Sequence, residues 1–125
     1  MHARAANAYR RVDLESAPKP MIVERLFARF AADVAQARTS LAAKDIAGKA
    51  AAIDHALRIV VELSSSLDHT AAPELCANLV ALYRYVTDRL TEANLHLTTP
   101  PLDEAGAIMA QLADAFRQAH QAAPR

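Results

Sequence analysis

The sequence predicts an all-α fold: an antiparallel up-and-down four-helix bundle preceded by an N-terminal arm. Three observations carry this. Apolar residues recur at spacings of three and four along four stretches of about 20 residues each. Pro18, Pro20, Pro73, Pro100, Pro101 and Pro124 fall at the edges of those stretches, where a helix tolerates proline, and never inside them. The 125 residues include two glycines and roughly a quarter alanine, which favours helix and leaves little for hairpins.

The first stretch runs from Pro20 to about Ala42 and aligns Val23, Leu26, Phe27, Phe30, Val34, Ala37 and Leu41 on one face. The second starts at Asp45, whose short carboxylate suits an N-cap, and carries Ile46, Ile53, Leu57, Val60, Ser64 and Leu67. The third opens at Pro73-Glu74, with an acid where the helix dipole favours one, and shows Leu75, Leu79, Leu82, Val86, Leu90, Ala93 and Leu97. The fourth follows Thr99-Pro100-Pro101 and groups Ala105, Ile108, Met109, Leu112, Phe116 and Ala119, with Asp103 and Glu104 in its first turn. Short connections between amphipathic helices make antiparallel neighbours, so residues 20–125 read as one bundle. Residues 1–19 lack periodicity and hold only scattered anchors, Tyr9, Val12 and Leu14, which marks them as an arm.

Fourteen basic residues balance fourteen acidic ones, which argues against a nucleic-acid partner. A single cysteine excludes an internal disulfide. Arg10-Arg11 stand where a signal peptide would have its apolar region, and no apolar run reaches the roughly 20 residues a bilayer demands. The expectation is a cytoplasmic protein with no membrane insertion.

Chemistry-bearing patterns are sparse. A carboxylate-bridged metal bundle needs Glu-x-x-His on two helices, and none of His55, His69, His96 or His120 has a glutamate three residues before it. Glu92 and His96, four apart, read as a solvated surface pair. Cys76 reads as a small packing residue, and Ser64-Ser65-Ser66 as the last turn of the second helix. Gly48 and Gly106 stand alone and build no phosphate cradle. No metal, cofactor or catalytic residue is expected.

The apolar pattern is broader than one stripe per helix. In the second helix Ile59 points roughly 120° from the stripe centre, with Ala56 and Leu63 forming a shoulder toward it. In the third, Cys76, Val80, Tyr83, Thr87 and Asn94 form a row offset by roughly 50° to 110°, and Tyr85 lies on the opposite shoulder. Three readings account for the surplus: packing against a second neighbouring helix, a groove for another apolar chain, or a homodimer seam.

The local sequences also resemble a known family. Glu74-Leu75, Asn78-Leu79, Leu82-Tyr83-Arg84-Tyr85-Val86, Arg89-Leu90 and Glu92-Ala93-Asn94 are similar to the third helix of the FliS family of flagellar secretion chaperones. Ala56, Ile59-Val60, Glu62-Leu63 and Leu67-Asp68 match its second helix, Leu26-Phe27 stands where it has Leu-Tyr, and Ala8-Tyr9 matches its N-terminal tyrosine. The match spans about Ala8 to Gln121. Two departures are that Lys19 rather than Ser or Thr precedes Pro20, and that Phe116 replaces a tryptophan common in the fourth helix.

The resemblance implies a bundle that binds the disordered C-terminal region of flagellin, prevents its premature polymerisation and aids its delivery to a membrane protein of the flagellar export gate, met transiently. It also implies an arm that covers part of the binding groove and whose tyrosine region docks at the gate. On that reading Ile59, Leu63, Val80, Tyr83, Thr87 and Asn94 form the flagellin groove and Tyr9 anchors the arm. The alternative is a helical adaptor or dimerisation protein unrelated to secretion.

Overall fold

The computed structural model describes residues 20–122; the arm over residues 1–19, with Tyr9, lies outside the described residues. Four helices follow one another: α1 (Pro20–Ala42), α2 (Ile46–Ser65), α3 (Pro73–His96) and α4 (Pro100–Ala122). Among the described residues there is no strand. α1 packs on α2 and α4, and α3 packs on the same two, while the diagonal pairs approach less closely.

Cross-helix contacts fix the directions. Arg38 bonds Asp103, Val34 lies beside Gly106, and the rings of Phe27 and Phe116 are 6.3 Å apart, so numbers fall along α1 as they rise along α4. Asp33 meets His55 and Ser40 lies beside Gly48, which sets α1 against α2 in the same sense. Lys49 at the start of α2 reaches Asn94 at the end of α3.

Each helix buries a continuous row. α1 contributes Val23, Phe27, Phe30, Val34 and Ala37; α4 contributes Leu102, Ala105, Met109, Phe116 and Ala119. On α3 the buried row is Cys76, Leu79, Tyr83, Val86, Leu90 and Ala93. The expected stripe shares four of these, but Cys76 and Tyr83 take the places given to Leu75 and Leu82, which are half-buried. Both choices satisfy the helical spacing; the need of α3 to face α2 as well as α4 turns the row toward Tyr83. Leu97, expected in the stripe, is exposed because α3 ends before it and Leu97 adopts the left-handed conformation at φ 52°. Ile46, the first residue of α2, is exposed for the same reason of position.

The connections are closed by short polar side chains. After α1 the chain turns through Lys44, left-handed at φ 60°, and the Asp45 amide returns to the Ser40 carbonyl at 2.8 Å. Asp45 then caps α2, its Oδ1 accepting from the Gly48 amide at 2.9 Å. Between α2 and α3, buried Asp68 accepts from both the amide and the hydroxyl of Thr70, at 3.1 and 2.6 Å. The Asp68 carbonyl accepts from the Cys76 thiol at 3.3 Å, tying the loop to the first turn of α3.

Replacing Asp45 with Ala is expected to lower stability by about 1 kcal/mol, read as a shift in urea midpoint without a change in slope. Gly48→Ala, which in an open helix would stabilise by up to about 1 kcal/mol, is expected to destabilise here. Its Cβ would overlap the Asp45 carboxylate and stand 2.9 Å from Ser40 Oγ, so the cap must break to admit it.

Candidate functional site

Of the six residues assigned to a groove, Val80, Tyr83, Thr87 and Asn94 share the α3 face that Lys49 of α2 reaches, whereas Ile59 shares the α2 face of Gly48 and His55, which meets α1; they also divide by depth. Ile59, Leu63 and Tyr83 are core residues, 5%, 0% and 2% exposed. Ile59 is interior because α2 must cover α1 and α3 together, and the buried arc Ala52-Ile53, Ala56, Ile59-Val60, Leu63 is wide enough to take it in. Val80, Thr87 and Asn94 lie half-buried along the margin. The Thr87 hydroxyl donates to the Tyr83 carbonyl of its own helix at 2.9 Å. The Asn94 side chain does not cap α3: its Oδ1 and its backbone carbonyl both accept from the Lys49 ammonium, at 2.5 and 3.0 Å.

A different groove opens between α1 and α4. It encloses about 730 Å³ and is lined on α1 by Met21, Glu24, Arg25, Phe27, Ala28, Phe30 and Ala31, and on α4 by Gly106, Met109, Ala110, Ala113 and Arg117. Phe27, Phe30 and Met109 belong to the core and form its floor. Its walls are alanine and glycine, so side chains too short to meet across the seam leave it unfilled. Charges stand only at the rim, where Arg117 is held by Asp114 at 2.8 Å. The α4 wall, Gly106, Ala110 and Ala113, has helical spacing and faces a matching alanine pair on α1. That row of small residues beside a strong aromatic stripe was the readable signal; a search for surplus large apolar residues passes over it.

Polar pairs stitch the seams. Asp33, nearly buried, has Oδ2 2.5 Å from His55 Nδ1, joining α1 to α2. Arg38 donates to Asp103 Oδ1 from Nε and a terminal nitrogen, joining α1 to α4. Tyr85 donates to Glu104 Oε2 at 2.6 Å, joining α3 to α4, and the Arg89 guanidinium lies over its ring. The bond to Glu104 holds the Tyr85 phenol above its ordinary value. Burial pushes the Tyr83 phenol well above the tyrosine range. Burial, then the charge of Asp68, raises the Cys76 thiol, which makes it a packing group rather than a nucleophile.

Among the described residues no three His, Cys, Asp or Glu side chains stand together as metal ligands, and no helix is long and apolar enough to cross a membrane. Glu92 and His96 form an exposed pair at 3.4 Å. Large apolar side chains stand in solvent at Met21, Ile22, Val61 and Leu95, the last 72% exposed. The arrangement offers apolar surface.

The family model described as flagellar protein FliS matches residues 1–123. The flagellar secretion chaperone FliS of Escherichia coli (strain K12) is 31% identical over 121 residues, covering 93% of this chain and 89% of that protein. Its counterpart in Salmonella typhimurium is 30% identical over 121 residues, with 93% and 90% covered. Flagellar secretion chaperone FliSB of Pseudomonas aeruginosa is 31% identical over 113 residues, with 87% and 90% covered.

The division by depth has a direct test. Ile59→Asp is expected to cost about 3 kcal/mol or more and to melt the bundle, because it buries an unpaired charge. Val80→Asp, at the margin, is expected to cost about 1 kcal/mol and to keep native helicity by circular dichroism. The buried Tyr83 phenol gives a pH signature. Its folded value lies above its unfolded value, so the stability it contributes is complete below about pH 10 and falls as pH rises further. In an alkaline titration one phenolate is expected to appear only together with unfolding, and Tyr83→Phe should abolish that component.

Proposed function

The chain belongs to the flagellar protein FliS family, and from that membership we propose that it is a cytoplasmic export chaperone for flagellin. In this reading it binds the disordered C-terminal region of flagellin, keeps it from polymerising early and helps deliver it to the export gate. The match of residues 1–123 to the family carries the reading, and the geometry supports it. A disordered client must offset its own ordering entropy by covering a large apolar surface, and long shallow grooves suit that better than one deep pocket.

The α1–α4 groove is the main seat, since its exposed wall of Ala28, Ala31 and Ala110 is open to a partner above the buried core of Phe27, Phe30 and Met109. The α2–α3 seam adds a second contact through Val80 and Thr87, with Tyr83 buried on the same face of α3, Asn94 held beside it by Lys49, and Ile59 and Leu63 in the core of α2. Met21, at one end of the α1–α4 groove, is the second residue of α1, so the N-terminus of α1 stands beside that groove. This placement suits an arm that covers the groove in the free protein, with Tyr9 as its anchor and as the contact to the export-gate membrane protein.

Titrating the full chain with the C-terminal segment of flagellin in a calorimeter is expected to give a one-to-one complex with a large negative heat-capacity change. Absence of binding at micromolar concentrations, with the bundle shown to be folded, would remove flagellin as the client.

A further inference from the structure

Lys49, in the first turn of α2, is buried, and its ammonium donates to Asn94 Oδ1 at 2.5 Å and to the Asn94 backbone carbonyl at 3.0 Å. An ammonium can only donate, so the Asn94 side-chain atom that faces it must be the oxygen. The two ends of an asparagine amide are alike in size, and here the lysine alone decides between them. The amide nitrogen Nδ2 is thereby turned away from Lys49. It carries two N–H groups, neither of which donates to anything among the described residues, and it is not buried.

Val80, Thr87 and Asn94 follow one another at intervals of seven residues, two turns each, so they form one half-buried line along α3. The line runs about 21 Å from Val80 to Asn94. Val80 is apolar, and the Thr87 hydroxyl donates to the Tyr83 carbonyl at 2.9 Å, so of the three only Asn94 offers N–H or O–H groups to a bound chain. A fixed, neutral pair of N–H groups selects an acceptor: it attracts no cation and gives no full charge to a carboxylate. A segment that orders only on binding brings a main-chain carbonyl at every residue, and each one covered without a partner costs free energy. Where such a segment turns helical, its last four carbonyls find no partner within the helix.

We propose that Asn94, oriented by Lys49, donates from Nδ2 to a main-chain carbonyl of the bound flagellin segment and so sets the register of that segment along the α2–α3 margin. The inference rests on the flagellin reading above. It is tested on the full chain and its Asn94→Asp variant by thermal melting and by titration with the flagellin C-terminal segment. Aspartate keeps an oxygen for Lys49 and loses the donor, since its second oxygen stands where Nδ2 stood and repels a carbonyl. The variant is expected to melt no lower than wild type, because the ammonium now faces a carboxylate, and to bind at least about tenfold more weakly. The loss is expected to persist at about 0.5 M salt, which screens an exposed charge. In the wild type, the Asn94 side-chain amide signals in nuclear magnetic resonance spectra are expected to move downfield and to exchange more slowly with water once the segment is bound. Amide signals left in place by binding would overturn the proposal, as would an affinity of the variant within about twofold of wild type or a loss that salt abolishes. A lower Tm for Asn94→Asp would also overturn it, by assigning the N–H groups to the fold itself. No binding by the wild type would remove the flagellin reading, whereas failure of the donor leaves wild-type binding in place.

Discussion

Each helix of this bundle packs closely on two neighbours, so each must bury an arc wider than a single stripe. Most of the interior follows from that demand. It draws Ile59 into the core of α2, turns α3 so that Tyr83 and Cys76 lie inside, and leaves Leu82 at the margin. The α1–α4 seam meets the demand with alanine and glycine along half its length, and the groove is what remains when the arc is wide enough but too thin.

Buried polar groups hold the seams in register. Lys49 is the clearest: a lysine only 4% exposed, its ammonium set under the last turn of α3, where unbonded carbonyls and the negative end of the helix dipole favour a cation. Bonds of this charged kind are worth about 1.5–3 kcal/mol, whereas exposed pairs such as Asp54 with Arg58 contribute a few tenths. The first kind fixes how α2 meets α3. The second solvates the outside and specifies little.

The helices, their order and most of their ends were legible because prolines and the three-four spacing act locally. Asp45 as a cap, Pro73 at the head of α3 and Pro100-Pro101 at the head of α4 all stand where local chemistry puts them. The candidate site was legible only in part. Apolar surplus on α2 and α3 was visible, but whether Ile59 or Tyr83 faces a neighbour or a partner depends on the rotation of whole helices, which no local pattern encodes. Asn94 was out of reach for the same reason, since Lys49 is forty-five residues away in the chain. The α1–α4 groove is defined by what its side chains lack.

The energetics of that groove bear on how a client is held. Ordering about eleven residues into a three-turn helix costs on the order of 10–20 kcal/mol in backbone entropy. Burying four large apolar anchors returns about 6–12 kcal/mol. Helical hydrogen bonds narrow the difference without securing tight binding, since each nets about 1 kcal/mol against water. A disordered client seated in this groove alone is therefore weakly held, and a stable complex requires it to continue onto other apolar surface. The bundle provides such surface in the exposed side chains of Ile22, Val61 and Leu95 and in Val80 at the α2–α3 margin. Dispersed, shallow contacts of this kind make a bound state depend on the whole length of the chain that is bound, so losing either end of the path loosens the rest.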